Sequence, residues 1–152
     1  MQTNIISTKS FNSFMKSWGY MLCSQLAQFK NMKFDYLLGL SETGGVMAAG
    51  LAAALGSMGN PKPWGLVQWS SEKKPILPLK LSKNLYQQVL MVDDSLESLR
   101  VFEVMGAIRN PGRIVGLIHY GKNDDELVFS SFLDLWEFLL RLVRPPHGPR
   151  IL

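Results

Sequence analysis

Short apolar runs alternate along this chain with longer segments whose apolar residues recur at helical spacing, and this alternation limits the fold more than any other feature. Phe34–Leu40, Trp64–Trp69, Gln88–Val92 and Arg113–Tyr120 have strand length. Residues 11–30 carry Phe11, Phe14, Trp18, Met21, Leu22, Leu26 and Phe29 at helical spacing, with Asn12 or Ser13 as cap. Val46–Leu55, Leu96–Ala107 and Ser130–Arg144 also read as helices; the last puts Phe132, Leu135, Trp136, Leu139, Leu142 and Val143 on one face. The order helix, strand, helix, strand, strand, helix, strand, helix implies an α/β domain: a mostly parallel sheet flanked by helices. Residues 1–144 form this single domain, and 145–152 are a Pro-rich tail.

Composition removes several function classes. With 152 residues the chain can bury one sizeable core. A hydrophobic fraction of 47% and 18% charged residues argue against disorder. One cysteine, Cys23, excludes an internal disulfide and a Cys-based zinc cage. Two histidines, His119 and His147, argue against a His-rich metal site, so no protein-held metal is expected. Val46–Gly56, the longest weakly polar run, is too short to span a bilayer. No apolar leader precedes residue 30, so a cytoplasmic setting is expected. The formal net charge of +4 suits an anionic small ligand or nucleic acid without choosing between them.

Two strand ends carry unusual chemistry. The first is Gly39-Leu-Ser-Glu-Thr-Gly-Gly45, leading into an Ala-rich helix. Successive backbone N–H groups at a helix start bind anions, and glycine lets a phosphate approach the backbone. The bland alternative is a turn that needs glycine for its dihedrals. The second is Val-Asp-Asp-Ser-Leu-Glu-Ser-Leu-Arg, residues 92–100. The adjacent carboxylates Asp93 and Asp94 repel, so they need a cation or ligand hydroxyls nearby. The bland alternative is acidic capping of the next helix, with Glu97 and Arg100 as a surface pair. In parallel α/β sheets, ligands lie beyond the carboxyl ends of strands near a topological switch, so both turns are expected to meet there.

The stretches FDYLLGLSETGGVMAAGLAAALG and VLMVDDSLESLRVFEVMGAIRNPGRIVGLIHYGK resemble the type I phosphoribosyltransferase family over roughly residues 10–140. The resemblance implies that Ser41, Glu42, Thr43, Gly44 and Gly45 hold pyrophosphate. It implies that Asp93 and Asp94 face the ribose hydroxyls of phosphoribosyl pyrophosphate. Ser98, Leu99 and Arg100 then lie in the loop around the 5′-phosphate. Leu99 stands where the family has glycine and Val101 where it has a hydroxyl, and Arg100 is the residue that can supply charge-assisted contacts instead. In the 6-oxopurine members an aspartate at the position of Glu97 is the proton acceptor, so Glu97 takes the role of catalytic base. Lys122 matches the lysine that meets the exocyclic oxygen of the purine, and Trp136 or Phe132 can stack a base. Lys73 or Lys74, in the Ser70–Lys74 loop, can reach pyrophosphate. The implied reaction transfers phosphoribosyl to a nucleobase, a 6-oxopurine for preference, with Mg²⁺ held mainly by substrate. The family also implies a homodimer.

Two other readings compete. The altered Leu99–Val101 loop suits a phosphoribosyltransferase fold that has lost catalysis and serves as a nucleotide-binding or regulatory module. VLMVDDSLESLRVFEVMG also looks like the opening of a receiver domain, whose phospho-acceptor would then be Asp134. No basic helix or basic stripe interleaved with aromatics supports nucleic-acid binding.

Overall fold

The computed structural model describes residues 19–21, 24, 32–83, 86–121 and 127–143. It is an α/β structure with a mostly parallel five-stranded sheet flanked by helices. In chain order the elements are β1 (Tyr36–Gly39), α1 (Glu42–Ser57), β2 (Trp64–Leu66), β3 (Gln68–Trp69), β4 (Pro75–Ile76) and α2 (Leu79–Ser82). They continue with β5 (Val89–Val92), α3 (Ser98–Ala107), β6 (Ile114–Tyr120), β7 (Leu127–Ser131) and α4 (Phe132–Val143). The sheet order is β2-β1-β5-β6-β7, and β3 with β4 forms a separate antiparallel ribbon.

Every residue of β1 and β5 is buried. Central parallel strands are covered on both faces, which is why these runs show no polar alternation. Successive side chains point to opposite faces. Tyr36, Leu38, Val89, Met91 and Leu117 pack with Val101, Val104 and Met105 of α3 and Leu135 and Leu139 of α4. Leu37, Leu90, Val92 and Ile118 pack with Met47, Ala48, Leu51 and Leu55 of α1. Each helix supplies the apolar cover that one sheet face requires.

The topology fixes where a ligand can enter. From β1 the chain crosses through α1 to β2 on one side, then returns to place β5 on the other side of β1. The connections leaving β1 and β5 diverge, so a crevice opens between their carboxyl ends. Ser41 to Gly45 follow β1, and Asp93 to Arg100 follow β5.

Several expectations need adjustment. Trp64–Trp69 is not one strand: it breaks at Val67, whose N–H donates to the Gly39 carbonyl at 2.9 Å, and Gln68–Trp69 turns away into the ribbon. The strand β4 and the short helix α2 arise within a stretch that reads as loop. The strand β7 is antiparallel to β6 and occupies a segment that reads as turn and helix start. The 11–30 helix and its cap lie outside the described residues except for 19–21 and 24, which are helical. Lys122 and the 145–152 tail lie outside them too.

Candidate functional site

The β1–α1 turn is built on a capping serine. Ser41 has extended backbone, and its Oγ accepts the Gly44 N–H at 3.0 Å, which fixes it as the N-cap of α1. Gly44 and Gly45 therefore sit in the first helical turn rather than in a free loop. Their glycines answer to close packing: a Cβ on Gly44 would run into the Val92 carbonyl oxygen, and one on Gly45 would lie 2.9 Å from Leu66 Cδ1. Among the described residues the N–H groups of Glu42 and Thr43 have no hydrogen-bond partner. They are the orphan donors every helix start carries.

Ser41 also joins the two turns. Its hydroxyl donates to Asp93 Oδ1 at 2.6 Å, across 52 residues of sequence. The same Oδ1 accepts the Asp94 N–H at 2.8 Å. Asp93 is 0% exposed. Burial pushes its carboxyl up to about 6, against the downward pull of the Ser41 hydrogen bond and the Arg100 charge.

The β5–α3 turn closes on itself. Glu97 is the N-cap of α3, its carboxylate accepting the Arg100 N–H at 2.8 Å and the Leu99 N–H at 3.1 Å. Arg100 sends its guanidinium back over the turn. Nε lies 3.0 Å from Asp93 Oδ2, and Nη2 lies 3.4 Å from Asp94 Oδ1 and 3.3 Å from Ser95 Oγ. Nε and Asp93 Oδ2 are both buried, yet neither makes an aligned hydrogen bond among the described residues. The pair is an electrostatic contact with a misdirected N–H.

A cleft of about 230 Å³ lies between the turns, lined by Ser41, Glu42, Trp69, Lys73, Leu99 and Arg100. Trp69 is anchored by its indole N–H, which donates to the Leu40 carbonyl at 2.8 Å. Lys73 sits at the tip of the β3–β4 ribbon with φ 61°, a left-handed backbone that L side chains adopt at a cost on the order of 1 kcal/mol. That turn, closed by Ser70 and Lys74, aims Lys73 at the cleft. Lys74 points elsewhere and pairs with Glu103 of α3 at 3.2 Å, which ties the ribbon to the helix.

The crevice thus brings together Ser41, Glu42, Asp93, Asp94, Glu97, Leu99, Arg100 and Lys73, with Thr43, Gly44, Gly45 and Ser98 in the adjoining helical turns. Trp136 is not among the residues lining the cleft: it stands 48% exposed in a separate apolar groove with Phe102, Met105 and Leu139. Asp134 lies in the first turn of α4, where it and Ser131, the last residue of β7, exchange cap hydrogen bonds of 3.1 and 3.2 Å; β7 runs antiparallel to β6, so this strand end lies at the sheet edge opposite the carboxyl ends of β1 and β5. Trp69 is the lining residue that sequence reading passed over. Its position at the end of an apolar strand run was a signal, but an aromatic there reads equally as core. Among the described residues no three His, Cys, Asp or Glu side chains converge as a metal site. The carboxylates of the β5–α3 turn are already faced by Arg100, so they form no cage for a divalent cation. No described helix is long and apolar enough to cross a membrane.

Neither protein-family models nor curated proteins match this chain.

Proposed function

We propose that the chain is a protein of the type I phosphoribosyltransferase fold that takes a phosphoribosyl ligand in the crevice between β1 and β5. The observation that carries this reading is the Ser41 Oγ to Asp93 Oδ1 contact of 2.6 Å. It unites the two turns that the resemblance assigns to pyrophosphate and ribose, at the switch point where such sheets hold ligands. The free Glu42 and Thr43 amides, with the Lys73 ammonium, suit the charge of a departing pyrophosphate. Asp94, with its side chain 44% exposed, suits the ribose hydroxyls, and the buried Asp93 serves to hold the two turns together. Transfer through an oxocarbenium-like centre needs chiefly positioning and charge stabilisation, which these groups supply. Glu97 then accepts a proton from the base, and Lys122 meets its exocyclic oxygen. Mg²⁺ belongs to the ligand's pyrophosphate oxygens in this reading, and no protein residue is assigned to hold it.

A second reading is favoured by one observation: Glu97 spends its carboxylate on the first turn of α3. A fold kept for nucleotide binding or regulation, without transfer, fits that state. The two separate in one experiment. Folded protein is mixed with phosphoribosyl pyrophosphate, Mg²⁺ and, in turn, guanine, hypoxanthine, xanthine, adenine, uracil and orotate, and pyrophosphate release is measured beside calorimetric binding. Release with a 6-oxopurine is expected. Binding without release from any base identifies the second reading, and no binding removes both.

A further inference from the structure

The strand β2 ends the sheet: among the described residues it pairs only with β1. The Leu37 N–H donates to the Pro63 carbonyl at 3.0 Å, and the Val67 N–H donates to the Gly39 carbonyl at 2.9 Å. Residues two apart on a strand present their backbone groups to the same side, so Pro63, Gly65 and Val67 face β1 while Trp64 and Leu66 face away. Among the described residues no backbone group takes up the Trp64 carbonyl or the Leu66 N–H. This outward edge borders a cavity of about 510 Å³ that shares no lining residue with the cleft between β1 and β5. Trp64, Ile76 and Leu79 line it, and all three are exposed apolar side chains. One such residue alone needs no explanation, but three around one cavity mark a surface that something covers. Tyr36 adds a polar group: it is buried, it lines the cavity, and its hydroxyl makes no hydrogen bond among the described residues. That hydroxyl lies over Gly65, where an added Cβ would collide with it and with Pro78.

We propose that this cavity binds an uncharged planar heterocycle whose edge carries a hydrogen-bond donor beside an acceptor, read by the Trp64 carbonyl and the Leu66 N–H. On one side of a strand, the carbonyl of one residue and the N–H two residues on lie next to each other and point the same way. They form an acceptor–donor pair that only a ring with the complementary pair satisfies in full. Among the described residues no charged side chain lines the cavity, so an ionised ligand would leave water without a partner. A neutral ring instead sets its faces against Ile76 and Leu79 and its edge on the backbone, the usual division of labour in a small-molecule site. The Tyr36 hydroxyl and the Gln68 amide offer contacts to further polar atoms of the ring. An added peptide strand fits this edge less well. It finds outward groups on Trp64 and Leu66 alone before β2 breaks at Val67. The site stands independently of the phosphoribosyl reading.

Amide NMR spectra of the full chain, titrated with 7-azaindole and with indole, test this. Both are flat, neutral and of one shape, and both carry a ring N–H. Only 7-azaindole has an acceptor nitrogen beside it, so indole leaves the Leu66 N–H without a partner. 7-Azaindole is expected to shift the Leu66 amide signal and to bind about tenfold more tightly than indole. Leu79→Glu, a change at an exposed position, is expected to weaken 7-azaindole about tenfold with the rest of the spectrum unchanged. Equal affinity for the two rings overturns the proposal, because the cavity then reads apolar shape and not the strand edge. Shifts confined to Leu99 and Arg100 overturn it too, since the ring then sits in the cleft between β1 and β5. So does the absence of 7-azaindole binding by the folded chain, or full affinity in Leu79→Glu.

Discussion

The β1–α1 and β5–α3 turns use the same device and reach opposite states. Each follows a buried parallel strand, each opens a helix, and each helix is capped by a side chain of its own turn. The first cap is Ser41, short and neutral. It satisfies one amide and leaves those of Glu42 and Thr43 without partners among the described residues. The second cap is Glu97, long, forked and charged, and it takes two amides at once. Backbone geometry alone therefore does not make an anion site at a helix start. The charge of the capping residue decides whether the donors stay available. Asp93 belongs to both turns, bound by Ser41 on one oxygen and faced by Arg100 on the other.

The comparison breaks most severely at Gly44. The open turn exists only because α1 can press its first turn against the end of β5, where a Cβ on Gly44 would meet the Val92 carbonyl oxygen. That obstacle is backbone and cannot rotate aside. Gly44→Ala is expected to destabilise the protein by about 3 kcal/mol or to prevent folding. Urea unfolding with a control at Gly56, where nothing lies within 4 Å of an added Cβ, checks it. If both alanines behave alike, the close approach of α1 to β5 is not what the glycine serves.

The fold was legible where the signal is a run of apolar residues, since Val89–Val92 and Ile114–Tyr120 are of strand length and rich in β-branched residues, which favours buried strands over helix. The weak elements escaped for a physical reason. β3, β4 and α2 are two to four residues long and held by Trp69, Ser70 and Pro78 rather than by their own periodicity. Ser130 and Ser131 read as a helix start because Ser131 does cap α4, yet the same residues also end β7 against Gly116 and Leu117. At the site, the meeting of the Ser41 and Asp93 turns was legible from strand ends. The state of Glu97 was not, because capping and ligand contact demand the same residue at the same place. Its three-residue spacing to Arg100 is equally that of a helix surface pair. The glycines of Thr43-Gly44-Gly45 looked like room for phosphate and prove to be room for Val92 and Leu66.

The shared residue gives the second test. Folding buries Asp93 and raises its carboxyl from 3.8 to about 6, so the native state holds that proton more tightly than the unfolded chain. Its contribution to stability is therefore fully present below about pH 4 and is lost as pH rises through about 6. Asp93→Asn keeps the acceptor for Ser41 and removes the titration. The wild type is expected to lose on the order of 2 kcal/mol more than the variant between pH 4 and pH 7, read from urea midpoints across that range. Parallel pH profiles for the two proteins would mean that the buried carboxylate is better compensated by Arg100 than its missing hydrogen bond indicates.

Asp94 gives the smallest effect on stability and sharpens the contrast most. Its side chain is 44% exposed, and its contact with Arg100 is long at 3.4 Å. An ion pair of that kind contributes about 0.5 kcal/mol or less, so Asp94→Asn should leave the unfolding midpoint almost unchanged. Ligand binding should respond differently. A carboxylate accepts hydroxyl hydrogen bonds roughly twice as strongly as a neutral amide, and an Asp94 that faces ribose loses about tenfold in affinity when the charge is removed. Calorimetry with phosphoribosyl pyrophosphate beside thermal unfolding separates the roles. Loss of affinity at constant stability assigns Asp94 to the ligand. Loss of stability with it returns Asp94 to the same self-contained network as Glu97 and Arg100, and the closed turn then extends one residue further than the hydrogen bonds alone indicate.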